Sequence, residues 1–332
     1  MNVDVAPAGR NLMSAFNIGN TPLIRLPDIA ARGAVWLKAE YTNPFGSVKD
    51  RTAAYLLAWA GAEVGDCVRV VESTSGNLGI ALARLGRQLK VPVTLVMDAS
   101  LPSRRIADVR RTGAAVRVVE RCLPGMTFRE SRIALAKELG SQTDWLWLNQ
   151  YDNEQGMYAH EQTTGPEIWK VMNGAVDAVV ASVGTGGTLC GISAALRGYS
   201  RAPLIVGVEP VGSTISGGEE GDYLPAGSGM RGMGEIVARH RDLVDLFAKV
   251  PDGIAAAWTQ HLLHRFGLEV GATTGAAVSV AAMLAAEYDE QVVVIAPDRG
   301  RSFHPALRAL ATSGFQVGDT SQIQIAPFGM SQ

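Results

Sequence analysis

Cysteine is scarce in this chain of 332 residues: Cys67, Cys122 and Cys190 are isolated and odd in number. A disulfide framework is therefore not expected, and with no CxxC or Cys/His pattern there is no zinc motif. Long apolar runs are also missing; none approaches the roughly 18 residues that span a bilayer. Nor is there an excess of charge, since 30 Lys+Arg face 32 Asp+Glu, a net charge of −2. Neither nucleic acid nor an anionic membrane is an expected partner. The segment Met1-Asn2-Val3-Asp4-Val5 lacks a basic flank and an apolar core, so no signal peptide is expected. Together with the unpaired thiols this fits a cytoplasmic protein. No internal repeat and no low-complexity segment stands out. What is present is a composition 47% hydrophobic and 19% charged, that of a globular enzyme with a substantial core. The length suits one large α/β domain or two of ordinary size.

Short β-branched runs alternate with Ala/Leu-rich helical segments. Strands are expected at 68–72, 93–97, 115–119, 178–183, 204–208 and 292–296, with helices at 52–59, 78–89, 103–111 and from 189 onward. Such βαβ alternation predicts mostly parallel sheets covered by helices on both faces. The Gly/Ser/Glu-rich span from Gly212 to Gly234 is the best candidate for a long loop near a site.

Within this frame one lysine stands out. Asn43-Pro44-Phe45-Gly46-Ser47-Val48-Lys49-Asp50-Arg51 puts Lys49 between a Pro/Gly turn and a helical run, where the macrodipole disfavours a cation. The chain uses arginine freely and lysine sparingly, and arginine would serve a solvated surface position equally well. Only lysine can lose its proton when desolvated and attack a carbonyl as a free amine.

Two loops after expected strands are shaped for anions. Ser73-Thr74-Ser75-Gly76-Asn77-Leu78-Gly79 runs into a helix and offers hydroxyls, an amide and free backbone N–H groups. An ordinary capped helix start is the alternative. Gly184-Thr185-Gly186-Gly187-Thr188 joins another strand to another helix, and its glycines allow the backbone to approach a phosphate. Glu209 follows at the next strand end, as in a dinucleotide site. However, the third glycine of that fingerprint falls on Leu189, so a phosphate monoester suits the loop better than a pyrophosphate. An imine-forming lysine, a loop for one phosphate and a loop for a carboxylate together describe pyridoxal 5′-phosphate with an amino-acid substrate.

These motifs resemble the cysteine synthase family, the β-replacement branch of the fold-type-II pyridoxal-phosphate enzymes, which includes cystathionine β-synthases. The resemblance runs from Ile18-Gly19-Asn20-Thr21-Pro22-Leu23 to Pro297-Asp298-Arg299-Gly300. It implies that Lys49 forms the internal aldimine and that Thr74, Ser75 and Gly76 grip the substrate carboxylate, helped by Gln150. By the same resemblance Asn77 touches the cofactor's phenolic oxygen, Gly184 to Thr188 hold its phosphate, and Thr273 in Gly271-Ala272-Thr273-Thr274-Gly275 faces the pyridine nitrogen. Gln150-Tyr151-Asp152-Asn153, His160 and Thr163-Thr164-Gly165-Pro166-Glu167 resemble a further stretch of the family. The implied reaction is β-elimination from an O-activated L-serine, an aminoacrylate, then addition of a second, nucleophilic substrate. The implied architecture is two α/β domains of the tryptophan synthase β-like type with the cofactor between them. A smaller mobile domain is expected at 46–152, and a larger one from 1–45 and 153–332. The family's usual state is a homodimer.

The sequence departs from the family pattern at Leu78, where threonine is common, at Phe45 beside Gly46, and at Glu154-Gln155-Gly156, where Pro-Ala-Asn is more usual. Asn77-Leu78-Gly79 also resembles the branch that joins O-phosphoserine to an amine such as glutamate on the way to 2,3-diaminopropionate. The nucleophile therefore stays open between sulfur and nitrogen. A third reading, a catalytically idle regulatory homologue, is opposed by the intact Lys49, Asn77 and phosphate loop. Arg231, in Gly229-Met230-Arg231-Gly232-Met233, lies in the loop where O-phosphoserine-using relatives carry an arginine. A guanidinium suits phosphate, so O-phosphoserine is the expected donor, with O-acetylserine the alternative and a solvated arginine the bland reading. His261 and His264 read as a surface pair, not metal ligands, and no metal is expected. Cys190 reads as a small core residue, Arg299 and Arg301 as solvated, and Glu209-Pro210 as a strand end.

Overall fold

The computed structural model describes residues 5–64, 69–74, 76–199, 201–224, 227–300, 309–310 and 317–328. In chain order the elements are α1 (Val5–Ala15), β1 (Leu23–Leu26), β2 (Ala34–Lys38), α2 (Lys49–Val64), β3 (Arg69–Ser73) and α3 (Asn77–Leu89). There follow β4 (Val93–Asp98), α4 (Ser103–Arg110), β5 (Ala115–Val119), α5 (Phe128–Gly140), β6 (Trp145–Trp147) and α6 (Gln155–Ala159). A π-helical turn, His160–Thr164, leads to α7 (Gly165–Val171), β7 (Ala178–Ser182), α8 (Gly187–Arg197), β8 (Leu204–Pro210) and α9 (Glu235–Arg239). The chain continues through β9 (Leu246–Val250), α10 (Asp252–Phe266), α11 (Ala272–Tyr288), β10 (Gln291–Ile295) and β11 (Gln324–Pro327).

Described residues within Met1–Ile18 and Lys49–Ala159 form one compact unit; those within Gly19–Val48 and His160–Gln332 form the other. The breaks at 49 and 159 compare with the expected 46 and 152. Residues 5–15 join the smaller unit, unlike the expected 1–45, because α1 packs on α2: a Cβ at Gly9 would stand 2.8 Å from the Tyr55 ring.

In the smaller unit four strands pair in the order β5-β4-β3-β6, all parallel. Central β4 reads Val-Thr-Leu-Val-Met-Asp with every residue buried, as a strand covered on both faces must. Helix α3 lies close to it because Gly86 has no side chain; a Cβ there would meet Val93 Cγ2 at 2.4 Å and the Val91 carbonyl at 2.9 Å. Helix α5 starts with a capping box, the Thr127 hydroxyl accepting from Glu130 N and the Glu130 carboxylate from Thr127 N. One buried ion pair, Arg132 Nε to Asp98 Oδ2 at 3.0 Å, joins α5 to the end of β4.

The larger unit holds a seven-stranded sheet ordered β1-β2-β10-β7-β8-β9-β11. Its inner pairs are parallel, while β1 on β2 and β11 on β9 are antiparallel edges. The Val/Ile-rich runs of β7, β8 and β10 form its buried centre. Helix α11, rich in Ala, Val and Thr, is buried on all faces up to Ala285 and packs against α10 and this sheet. Among the described residues no helix is long and apolar enough to cross a membrane.

Gly86→Ala should cost roughly 1–3 kcal/mol of stability by overpacking, although alanine favours a helix. Adding Val93→Ala should recover only part of that, since the Val91 carbonyl stays in the way. Chemical denaturation of the single and double variants measures both effects.

Candidate active site

Lys49 is the first residue of α2, and the same unit holds buried Glu72 on β3. Desolvation lowers the Lys49 pKa to about 8, with the Glu72 charge pulling it back upward. Burial raises Glu72 to about 8 against the hydrogen bonds that favour its anion. Gln150, just beyond β6, supplies two of these: its backbone N–H reaches Glu72 Oε2 at 3.3 Å and its Nε2 reaches Oε1 at 3.4 Å. Gln150 Nε2 also donates to the Ser73 carbonyl at 2.7 Å, so the side chain expected at a substrate carboxylate is turned onto β3. Tyr151 is drawn in as well, its hydroxyl 3.5 Å from the Ser73 hydroxyl, with burial raising its pKa.

After β3 the chain turns through Thr74 and Gly76 into α3; Ser75 lies outside the described residues. The Thr74 hydroxyl oxygen accepts from Gly76 N at 3.1 Å and from Gly79 N at 3.2 Å. Thr74 thus shapes the loop and caps the helix, the alternative that the sequence left open. Gly76 has φ +155°, and the Arg105 guanidinium from α4 lies across it, 2.7 Å from where a Cβ would stand. Arg105 Nη1 donates to Asn77 Oδ1 at 3.3 Å, a neighbour that sequence spacing gave no sign of.

In the larger unit the Gly184–Thr188 loop follows β7 and opens the 11-residue helix α8. A Cβ at Gly186, where φ is +92°, would fall 2.4 Å from Val237 Cγ2, and one at Gly184 would fall 2.9 Å from the Gly227 carbonyl. Both positions call for glycine, because a side chain there would run into neighbouring protein atoms. Thr188 Oγ1 sits 3.3 Å from Nε2 of buried His160, whose Nδ1 is 2.9 Å from Thr164 Oγ1. Ser182 Oγ donates to the Thr273 carbonyl at 2.8 Å, bringing the start of α11 to the end of β7 beside this loop. The Thr273 hydroxyl is buried yet has no hydrogen-bond partner among the described residues. A hydroxyl held so has a hydrogen bond to offer to a water or to a ligand acceptor.

Other candidates fall elsewhere. Arg231 is half-exposed and paired with Glu220. The Glu209 carboxylate turns inward to Ser213, Ser216 and Lys249. His261 packs edge-on against Trp258 and Phe266, and among the described residues no His/Cys/Asp/Glu group is placed to hold a metal. Cys190 is wholly buried in α8. Arg299 lies over the Tyr41 ring at 6.0 Å, while Arg301 is outside the described residues. Sequence reasoning passed over Glu72, although a carboxylate inside the apolar Val70-Val71-Glu72 run was the available signal.

Comparison with known proteins supplies the context. Residues 15–298 match the family described as "Pyridoxal-phosphate dependent enzyme". Cysteine synthase B of Escherichia coli (strain K12) is 36% identical over 293 residues, 85% of this chain and 91% of that protein. The N-(2-amino-2-carboxyethyl)-L-glutamate synthase of Ralstonia nicotianae is 32% identical over 293 residues, 86% of each chain. Among solved structures, the O-acetylserine dependent cystathionine beta-synthase of Helicobacter pylori superposes with a TM-score of 0.79 at 28% identity. That match covers 91% of this chain and 97% of the other.

The two shifted groups give a pH signature in the cofactor-free protein. Folded Glu72 binds its proton up to about 8 instead of the ordinary 4.5, so its stabilising contribution is full below 4.5 and lost as pH rises through about 8. Folded Lys49 releases its proton near 8 instead of 10.5, so stability climbs again between those values. Glu72→Gln should flatten the fall between pH 4.5 and 8, whose slope is at most about 1.4 kcal/mol per pH unit, and start the alkaline rise at lower pH, because the Glu72 charge no longer holds the Lys49 pKa up. Denaturation midpoints across this range read it directly.

Proposed function

Because the chain belongs to the pyridoxal-phosphate dependent enzymes, in their cysteine synthase branch, we propose that it catalyses β-replacement on an O-activated L-serine, with O-phosphoserine the preferred donor. The observation that carries this reading is Lys49, a lysine whose desolvated amine titrates near 8 and can act as both nucleophile and base at neutral pH. Each unit by itself offers groups suited to part of the cofactor. In the smaller, Lys49 would hold its carbonyl carbon; in the larger, the Gly184–Thr188 backbone would hold its phosphate and the Thr273 hydroxyl its ring nitrogen. When bound, pyridoxal phosphate supplies an electron sink for charge developing at the substrate Cα.

The protein's own groups do the rest. The backbone around Gly76 and Asn77 receives the α-carboxylate at the start of α3, where helix-end N–H groups favour an anion. The Lys49 amine takes the Cα proton while the β-substituent departs with its bonding electron pair. A nucleophile then bonds to Cβ and Lys49 returns the proton to Cα, so nothing is oxidised or reduced. Thr273 matters by what it is not: a hydroxyl, unlike a carboxylate, does not hold a ring nitrogen protonated. This favours loss of a good leaving group over transamination.

Arg231 supports phosphate as that leaving group, since a half-exposed guanidinium can exchange Glu220 for a phosphoryl group. A sulfur nucleophile is the first reading. An amine such as glutamate is the second, favoured by Asn77-Leu78-Gly79 and by the likeness to the Ralstonia enzyme.

Loss of phosphate or acetate from the two donors tests the proposal. Arg231→Ala should lower kcat/KM for O-phosphoserine about 10- to 100-fold, the worth of one charged hydrogen-bonded contact. O-acetylserine turnover should change little. Preference for the acetyl ester in the parent protein, untouched by the substitution, would sink the phosphate assignment. Lys49→Ala should abolish turnover of both donors along with the visible absorption of the lysine-bound cofactor. Supplying sulfide or glutamate as second substrate then identifies the nucleophile by product.

A further inference from the structure

Glu209 is the penultimate residue of β8, and its carboxylate is buried with more donors around it than a strand end requires. Lys249, opposite it in the β8–β9 register, donates from Nζ at 2.9 Å. The Ser213 hydroxyl donates at 2.5 Å, Ile215 N at 3.0 Å and Ser216 N at 3.2 Å, and the Ser216 hydroxyl adds a further bond. Lys249 also donates to the Ser213 carbonyl, so the pair together wraps the chain from 213 to 216 around itself.

This wrapped segment carries the next one. Ser213 Oγ accepts from Met230 N at 3.0 Å, Thr214 N donates to the Met230 carbonyl at 2.9 Å, and Gly232 N donates to Thr214 Oγ1 at 2.7 Å. These bonds bracket Arg231. One residue earlier, Gly229 N donates to the Val183 carbonyl at 2.8 Å, immediately before the Gly184 loop. The Gly227 carbonyl lies against Gly184 itself. Hydrogen bonds and short stretches of chain therefore connect the Glu209 carboxylate to Val183, the residue immediately before the loop at the start of α8.

We propose that Glu209, braced by Lys249, is a positioning residue that sets how tightly the Gly184–Thr188 loop holds a phosphate ester. The proposal rests on the reading of that loop as the phosphate site. Its physical basis is the specificity of a buried ion pair: an uncharged amide at 209 would present an NH2 to the Ile215 or Ser216 N–H, or to Lys249, each already a donor. The 213–216 and 229–232 segments would then lose their common fixed point. Held geometry of this kind decides affinity more than the contacts themselves do.

Titrating cofactor-free protein with pyridoxal 5′-phosphate and with pyridoxal, which lacks the phosphate, separates this role from a general one. In Glu209→Gln the affinity for pyridoxal phosphate should fall about tenfold while that for pyridoxal stays within about threefold. Amide hydrogen exchange at Ile215 and Ser216 should quicken in the same variant without any ligand. Equal weakening of both ligands, or faster exchange with the preference for the phosphate form intact, overturns the proposal. If Glu209→Gln does not fold, Ser216→Ala, which removes one donor and keeps the ion pair, should lower the same affinity ratio by a smaller amount; an unchanged ratio overturns it. A parent protein that binds both ligands equally would instead bring down the phosphate-loop reading beneath it.

Discussion

Parallel strand pairing is the constraint on which the rest of this molecule depends. Strands paired in parallel need helical crossovers, and the helices cover both sheet faces. Polar chemistry is thereby confined to the ends of the strands, and in such sheets it collects at the carboxyl ends, where helix N-termini point. Each unit obeys this by itself. In the smaller one, Thr74 to Asn77 follow β3 and Gln150 follows its neighbour β6. In the larger one, the Gly184–Thr188 loop follows β7, Glu209 lies one residue from the end of β8, and Asp298 beyond β10 bonds back to Gly271 at the start of α11.

Against that background, ionisable groups that the fold desolvates need a reason. Lys49 and Glu72 both sit where desolvation works against their charged forms, and each titrates near 8. A lysine kept for solubility would not carry that penalty. Glu72 has a different standing. Gln150 and the end of β3 hold it, so it ties the Gln150–Tyr151 turn to the strand that leads into Thr74. The larger unit treats Glu209 in another way, surrounding it with donors. One carboxylate is left close to neutrality, the other anchors a loop.

Much of this was legible beforehand for a physical reason. Runs such as Val93–Met97 and Val292–Ala296 are buried on both faces, so their composition alone marks them as inner strands. Lys49, Gly186 and Gly187 break local preference, and such breaks tend to mark sites. The short strand β6, the edges β1 and β11, and their neighbours β2 and β9 were not foreseen, because runs of three to five residues leave a weak pattern. The turn of Gln150 onto Ser73 and the reach of Arg105 to Asn77 lie further still from sequence. They depend on strand order and helix placement, which local spacing does not encode. Thr74 shows the opposite limit, since one hydroxyl suits a cap and a ligand equally well until its partners are known.

Helix α11 adds a point about how such a protein can diverge. From Ala272 to Ala285 almost every residue is buried, and a Cβ at Gly275 would already collide with Thr259 on α10. The helix that carries Thr273 cannot slide or tilt without dismantling the packed layers around it. A descendant lineage can therefore exchange the atom presented at position 273 through a single codon, yet it cannot relocate that atom. Changes in the group presented at 273 are open to small genetic steps here, whereas changes in the shape of this corner are closed.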